Sequence, residues 1–221
     1  MEERHIEGII ARYIKDGDVV SVGSSALGEK FIKKLALSLE EESVPINSIE
    51  FVPTSMRTAA IASSLGLPIA DINEREVDVA VEFADMVDGD YNFIKRDSAS
   101  FVRDKMIAQS AAILIIVCDE KNLVGKLRGR IPFEIATFGW KRTMNQLDGL
   151  GKAKRRMNGS LPFKTETGHY VIDADVDKIF SYEDLEFETK NIPGVLETGL
   201  FVGFADKILL HGKQLRMMSR T

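Results

Sequence analysis

Cysteine is nearly absent from this chain of 221 residues: Cys118 is the only one, so no disulfide forms within it. A fold stapled by disulfides is excluded, and a reducing compartment fits. Cys118 closes the apolar run "AAILIIVC" and reads as a buried structural thiol. Histidine is scarce too. His5, His169 and His211 stand far apart with no companion cysteine pattern, so nothing has metal-ligand spacing and no metal is expected. Long apolar runs are missing: none approaches the roughly 20 residues of a membrane span, and the opening "MEERHIEGII" is charged, without a secretory apolar stretch. The expected location is the cytoplasm, with no membrane partner. An excess of one charge is missing as well. Against 34 acidic residues stand 29 basic ones, a formal charge of -5, which supplies no general field for nucleic acid or an anionic membrane. Any phosphate must be met locally.

What is present is 44% apolar residues, enough for a substantial core. Ile6, Ile9, Ile10, Tyr13 and Ile14 recur at helical spacing, and "DGD" breaks the pattern before the β-branched "VVSVG". Phe31, Ile32, Leu35 and Leu39 mark a second helix. "IEFV" reads as a strand and "TSMRTAAIASSLG" as a capped helix closed by Gly66. "VDVAVEF" and "AAILIIV" are further strands, separated by an acidic segment and a helix over residues 98–110. Strands alternating with helices predict an α/β fold, a Rossmann-like and mostly parallel sheet flanked by helices. After Pro132 the character changes, and a smaller α+β subdomain is expected over 131–199, with 1–130 plus 200–221 as the main domain. The apolar tail "GLFVGFADKILLHG" is expected to rejoin the main sheet.

Ligands of open α/β sheets bind beyond the carboxyl ends of the strands. Three segments qualify. "VGSSALG" places Gly23, Ser24 and Ser25 before a helix, and "VPTSMRT" does the same with Thr54, Ser55 and Arg57; in each, ordinary helix capping competes with anion binding. The third, "VEFADMVDGDYNFIKRDSASFVRDK", gathers Glu82, Asp85, Asp88 and Asp90, then Lys95 and Asp104. A solvated loop accounts for such a run, since carboxylates are usually exposed. The competing account is proton transfer, because carboxylates crowded beside a lysine shift one another's pKa values.

The order and wording of several segments resemble the A-type ribose-5-phosphate isomerase family. That family carries D-G-A-D-E-V-D, N-L-I-K, a glycine-rich turn and R-E-K; here "EFADMVD", "NFIK", "RDSA" and "RDK" stand in the same order and spacing. "VPTS", "PFEIATFGW", "PFKTETGHYVID" and "IPGVLETGLFVGFAD" also look like family segments, so the resemblance covers nearly the whole chain. It implies interconversion of ribose 5-phosphate and ribulose 5-phosphate through a cis-enediol, with no metal or organic cofactor, by a homodimer or homotetramer acting on a small sugar phosphate. The base of the family falls on Asp104, the paired aspartates on Glu82 and Asp85, and the lysine on Lys95.

Asp104 is one methylene shorter than the family glutamate, and Glu82 one methylene longer than the family aspartate. A misplacement of about 1 Å can cost on the order of 10²-fold in rate, so opposed changes at facing positions would compensate each other. In the phosphate loops the resemblance assigns substrate binding to Gly23, Ser24 and Ser25, although Ala26 and Leu27 replace two hydroxyl residues. It assigns the same role to Arg96, Asp97, Ser98 and Ala99, which stand where the family has glycines, and to Lys121, one position before Asn122 at the family lysine. Asp97 must point away from a bound phosphate, or be offset by Arg96.

Two other readings follow from these departures: a noncatalytic sugar-phosphate binder or sensor, and an isomerase for another sugar phosphate. Lys152, Lys154, Arg155 and Arg156 are expected in a solvated loop, not a nucleic-acid patch, and Asp88 and Asp90 in a loop without chemistry. Trp140 and Phe201 are expected in the core or a subunit interface.

Overall fold

The computed structural model describes residues 5–176 and 179–220. Its largest sheet has six strands in the order Leu215–Ser219, Lys207–His211, Ile113–Asp119, Val79–Phe83, Val19–Val22 and Glu50–Phe51. All neighbours run parallel except the edge strand Leu215–Ser219. The central strands "VVSV" and "VAVEF" are buried throughout, as expected of β-branched runs covered on both faces. Helices Ile6–Ala11, Ala26–Glu41 and Met56–Ser64 join one apolar cluster around Val20, Val81 and Ile115. Phe101–Ser110 contributes Ile107 and Ala108 to a second around Leu114 and Ile116. This is the α/β architecture that the alternating pattern predicts. Among the described residues no helix is long and apolar enough to cross a membrane.

A second sheet, wholly antiparallel, has the order Val195–Thr198, Gly129–Ile135, Tyr170–Val176 and Ala153–Arg155, with its own apolar cluster around Phe133 and Ile172. A third, of short strands, runs Leu200–Phe201, Phe93–Ile94, Met86–Asp88 and Leu123–Val124. The tail therefore divides: Leu200–Phe201 joins this small sheet through Phe93–Ile94, and only Lys207–His211 and Leu215–Ser219 enter the main sheet. Phe201 is fully buried and stacks on Phe93, with ring centroids 4.4 Å apart.

Three local expectations are corrected. The helix over 98–110 begins only at Phe101, because Ser100 is extended and caps it by accepting from the Arg103 amide at 3.3 Å. The basic cluster is not a free loop: Arg156 pairs with Asp173 at 2.6 Å, and Arg155 lies 4.0 Å over the half-buried Trp140 ring. Asp88 is buried because its carboxylate accepts from the backbone amides of Asp90 and Asn92, each at 3.0 Å, and so closes a turn.

Gly199 is the point where the sheets meet. Its carbonyl accepts from the Lys95 amide and its amide donates to the Pro132 carbonyl, both at 2.8 Å. A Cβ there would lie 2.3 Å from the Lys95 carbonyl oxygen and 2.4 Å from Pro132 Cγ. Gly199→Ala is expected to lower stability by about 1–3 kcal/mol through overpacking, read from urea denaturation midpoints.

Candidate active site

Glu82 stands near the carboxyl end of Val79–Phe83, paired in register with Ile116. Its side chain turns against Gly23, the residue after Val19–Val22, where an added Cβ would lie 2.0 Å from Oε2. Glycine is required there for want of space. Lys95 follows the short strand Phe93–Ile94, and Asp104 lies in the first turn of Phe101–Ser110. The three side chains converge from these separate elements. Lys95 Nζ donates to Glu82 Oε2 and, at 2.5 Å, to Asp104 Oδ2. Relative exposures are 1% for Glu82 and 0% for Lys95 and Asp104.

Two carboxylates share one ammonium in a buried space. Were both ionised, the group would carry an uncompensated negative charge; with one protonated it is neutral. Glu82 takes the proton: burial, reinforced by the negative charge of Asp104 and opposed by Lys95, pushes its carboxyl up to about 8. Burial works against the charge of Lys95, but the Asp104 and Glu82 carboxylates hold it above the ordinary ammonium range. Glu82 Oε1 is buried with no hydrogen-bond partner among the described residues. A neutral acid, a second carboxyl group and a cation between them can move protons on a small ligand.

Asp85 lies outside this triad. It is half-buried, accepts from the Arg96 amide at 2.7 Å and lines a cavity of about 570 Å³ with Leu27, Lys30, Phe83, Asn122 and His211. Ser24 and Ser98 turn their hydroxyls onto Asp104, at 3.1 and 2.6 Å. Ser25 caps helix Ala26–Glu41. Ala99 donates its amide to Ser24 Oγ at 3.0 Å. The Arg96 side chain bonds the carbonyls of Arg130 and Arg128, at 2.9 and 3.2 Å, so its guanidinium leaves Asp97 without an offset. Asp97 accepts from the Ala26 amide at 3.2 Å, which puts a carboxylate at the start of that helix. Lys121 is exposed and pairs with Asp119 at 2.8 Å.

The "VPTSMRT" segment takes the capping account. Ser55 and Thr58 form a reciprocal cap, Arg57 pairs with Glu29 at 2.8 Å, and the Glu166 carboxylate accepts from the Met56 amide at 2.8 Å. Sequence reading missed Glu166 and a second supporting group, Glu134. Glu134 is fully buried and accepts from the Val102 amide at 3.1 Å, Thr165 Oγ1 at 2.8 Å and His169 Nδ1 at 2.9 Å. It thereby anchors the helix start before Asp104 to the second sheet. The hydroxyl-rich "TETGH" is the available signal, but nothing in its spacing names a partner 31 to 35 residues earlier.

Two buried carboxyl groups on one ammonium, at the carboxyl edge of a parallel sheet, suit an α/β enzyme that moves protons. The family model for ribose 5-phosphate isomerase A (phosphoriboisomerase A) matches residues 50–214, and the chain belongs to that family. Ribose-5-phosphate isomerase A of Bacillus mycoides (strain KBAB4) is 34% identical over 207 residues, covering 92% of each chain. That of Methanothermobacter thermautotrophicus is 33% identical over 202 residues, 89% of this chain and 87% of the relative. Among solved structures, a D-ribose-5-phosphate isomerase in complex with phospho-erythronic acid superposes with a TM-score of 0.88 at 30% identity over 100% of both chains. The ribose 5-phosphate isomerase A of Methanocaldococcus jannaschii gives 0.87 at 26% identity, covering 97% of this chain and 96% of that one.

The raised Glu82 pKa has a signed consequence. Between the unfolded value of 4.5 and the folded value of about 8, the unfolded chain releases this proton while the native state keeps it. Stability from this group is complete below that window and falls through it as pH rises, with a limiting slope of about 1.4 kcal/mol per pH unit. Urea denaturation from pH 5 to 8.5 is expected to show this loss in the parent and a flatter profile in Glu82→Gln.

Proposed function

We propose that the protein interconverts D-ribose 5-phosphate and D-ribulose 5-phosphate as a step of the non-oxidative pentose phosphate pathway. The observation that carries this reading is the single Lys95 ammonium joined to both Glu82 and Asp104 in a buried site. On the open-chain aldose, Asp104 removes the C2 proton while neutral Glu82 protonates the carbonyl oxygen at C1, giving a cis-enediol. Glu82, now ionised, takes the proton from the C2 hydroxyl, and Asp104 returns its proton to C1. Lys95 stabilises negative charge developing on the enediol oxygens without reorganising, because its position is fixed before the reaction. Asp85 addresses a sugar hydroxyl from the cavity side.

The phosphate end is assigned to the loops of Gly23, Ser25 and Ala99, with Lys30, which lines the cavity beside Asp85, and Lys121, next in sequence to the cavity residue Asn122, as the cations proposed to meet it. That a phosphorylated ligand binds at all is supported by the structural relative solved in complex with phospho-erythronic acid. Asp97 at the start of helix Ala26–Glu41 opposes a phosphate there, so this chain's affinity rests on side-chain cations more than on helix amides.

Turnover of ribose 5-phosphate by the purified protein, beside Asp104→Asn, is the test. The parent is expected to form ribulose 5-phosphate, and Asp104→Asn to lose at least about 10³-fold in kcat while still binding the sugar phosphate. The complete enclosure of Asp104 favours a second reading, a noncatalytic binder, which predicts ribose 5-phosphate binding without turnover. Turnover of another sugar phosphate in preference would move the assignment to that substrate.

We also propose a cytoplasmic homodimer or homotetramer in which 1–130 with 200–221 carries the chemistry and 131–199 is the supporting subdomain. Met106 and Phe187, 54% and 72% exposed, line one groove among charged residues such as Glu183 and Lys190, and are the apolar contacts proposed for this assembly. Sedimentation at micromolar concentration is expected to give a multiple of 24.6 kDa; a monomer contradicts the assembly.

A further inference from the structure

We infer that Ser98 is a positioning residue that makes a short base productive, that Ser24 covers this base until the sugar displaces it, and that Oδ1 of Asp104 is the atom that takes the proton. The inference rests on the isomerase reading above. Its physical content is hydrogen-bond direction. The Ser100 amide donates to Ser98 Oγ at 2.9 Å, and the Ala99 amide donates to Ser24 Oγ at 3.0 Å. Each hydroxyl is thus an acceptor from the backbone, which leaves its one proton to be given away. Both face Asp104: Ser98 Oγ reaches Oδ2 at 2.6 Å, and Ser24 Oγ reaches Oδ1 at 3.1 Å and Oδ2 at 3.3 Å. The two hydroxyls lie 3.3 Å from each other, but donation between them would take a proton from the carboxylate.

The two oxygens of Asp104 are therefore unequal. Oδ2 is held by Lys95 at 2.5 Å and Ser98 at 2.6 Å, whereas among the described residues Oδ1 has only the longer bond from Ser24. The oxygen with a lone pair to spare is Oδ1. Because Asp104 is fully enclosed, a sugar reaches it only by displacing a cover, and Ser24, with the longer bonds, is the one that yields. Ser98 stays: it lies two residues before the helix cap, so hydroxyl, cap and base belong to one short rigid unit.

The same geometry explains why a glutamate does not fit here. One more methylene, about 1.5 Å, would drive the carboxylate into Ser98 Oγ and Lys95 Nζ. Ser98 fills the space a longer base would use, and its hydroxyl holds the shorter one in place. Residues 98 and 104 are thus a matched pair.

Steady-state kinetics on ribose 5-phosphate test the pairing with Ser98→Ala, Ser24→Ala, Asp104→Glu and the double variant Asp104→Glu/Ser98→Gly. Expected for Ser98→Ala is a kcat loss of about 10–100-fold with KM within about threefold, since positioning is lost and binding is not. Ser24→Ala loses less than about tenfold. Asp104→Glu loses at least about tenfold, and adding Ser98→Gly restores at least about tenfold. A raised KM with kcat kept in Ser98→Ala would make Ser98 a substrate ligand and overturn the proposal, as would additive losses in the double variant. A second cycle, Ser98→Ala against Asp104→Asn read by urea midpoints, needs no turnover: the pair is expected to lower the midpoint by less than the sum of the singles. A parent without turnover but with this coupling sinks the isomerase reading and the proton-transfer role of Oδ1, and supports the hydroxyl pairing. An active parent without coupling sinks the pairing alone.

Discussion

One ammonium between two carboxylates is the constraint on which the site depends. Lys95, Glu82 and Asp104 are each almost completely enclosed, and removing any one leaves charge or polarity buried without a partner. Such a group does not recommend itself as a source of stability, because taking ions out of water costs several kcal/mol for each. The reason to keep it is chemical. An environment that disfavours a second negative charge keeps Glu82 protonated near neutral pH while leaving Lys95 charged, and so separates the roles of two carboxyl groups.

Keeping three groups in register demands that the elements carrying them be fixed to one another. Glu82 belongs to the main sheet, Lys95 directly follows a strand of the small third sheet, and Asp104 lies in the helix beyond it. Gly199 ties Lys95 to the second sheet through paired backbone bonds, and Glu134 holds the helix start from that same sheet. On the other side of Asp104, Lys105 reaches Glu186 at 2.6 Å and Glu197 at 2.9 Å, so the helix is clamped on either side of Asp104. The second sheet thus contributes no member of the triad and still determines where two of its members stand.

Much of this was legible before any coordinates. The parallel core is written in the β-branched runs "VVSV", "VAVEF" and "AAILIIV", whose burial on both faces follows from their lack of alternation. The carboxylates and lysine were visible as a cluster, because they share one segment of the chain. What escaped notice is long-range: the Ser24 contact with Asp104 spans 80 positions, and the Glu166 contact with Met56 spans 110. Local patterns carry no record of such meetings. The hydroxyls of Ser24 and Ser98 were visible, but their direction depends on the Ala99 and Ser100 amides, whose orientation is a property of the folded turn.

The two exchanges of side-chain length now have a common frame. Glu82 and Asp104 both meet Lys95 Nζ, so the longer and the shorter carboxylate are arranged around one nitrogen. The extra methylene of Glu82 is accommodated because Gly23 has no side chain to oppose it. The methylene missing from Asp104 leaves room that the Ser98 hydroxyl fills while restraining the base. Glycine faces the longer residue and serine the shorter one, so neither exchange stands alone: residues 23 and 82 form one fitted pair, and 98 and 104 the other. Charge is conserved at every position of the triad, and only the steric burden has been redistributed. What fixes the centre of this arrangement is the Gly199 carbonyl, which holds the backbone of Lys95 in place.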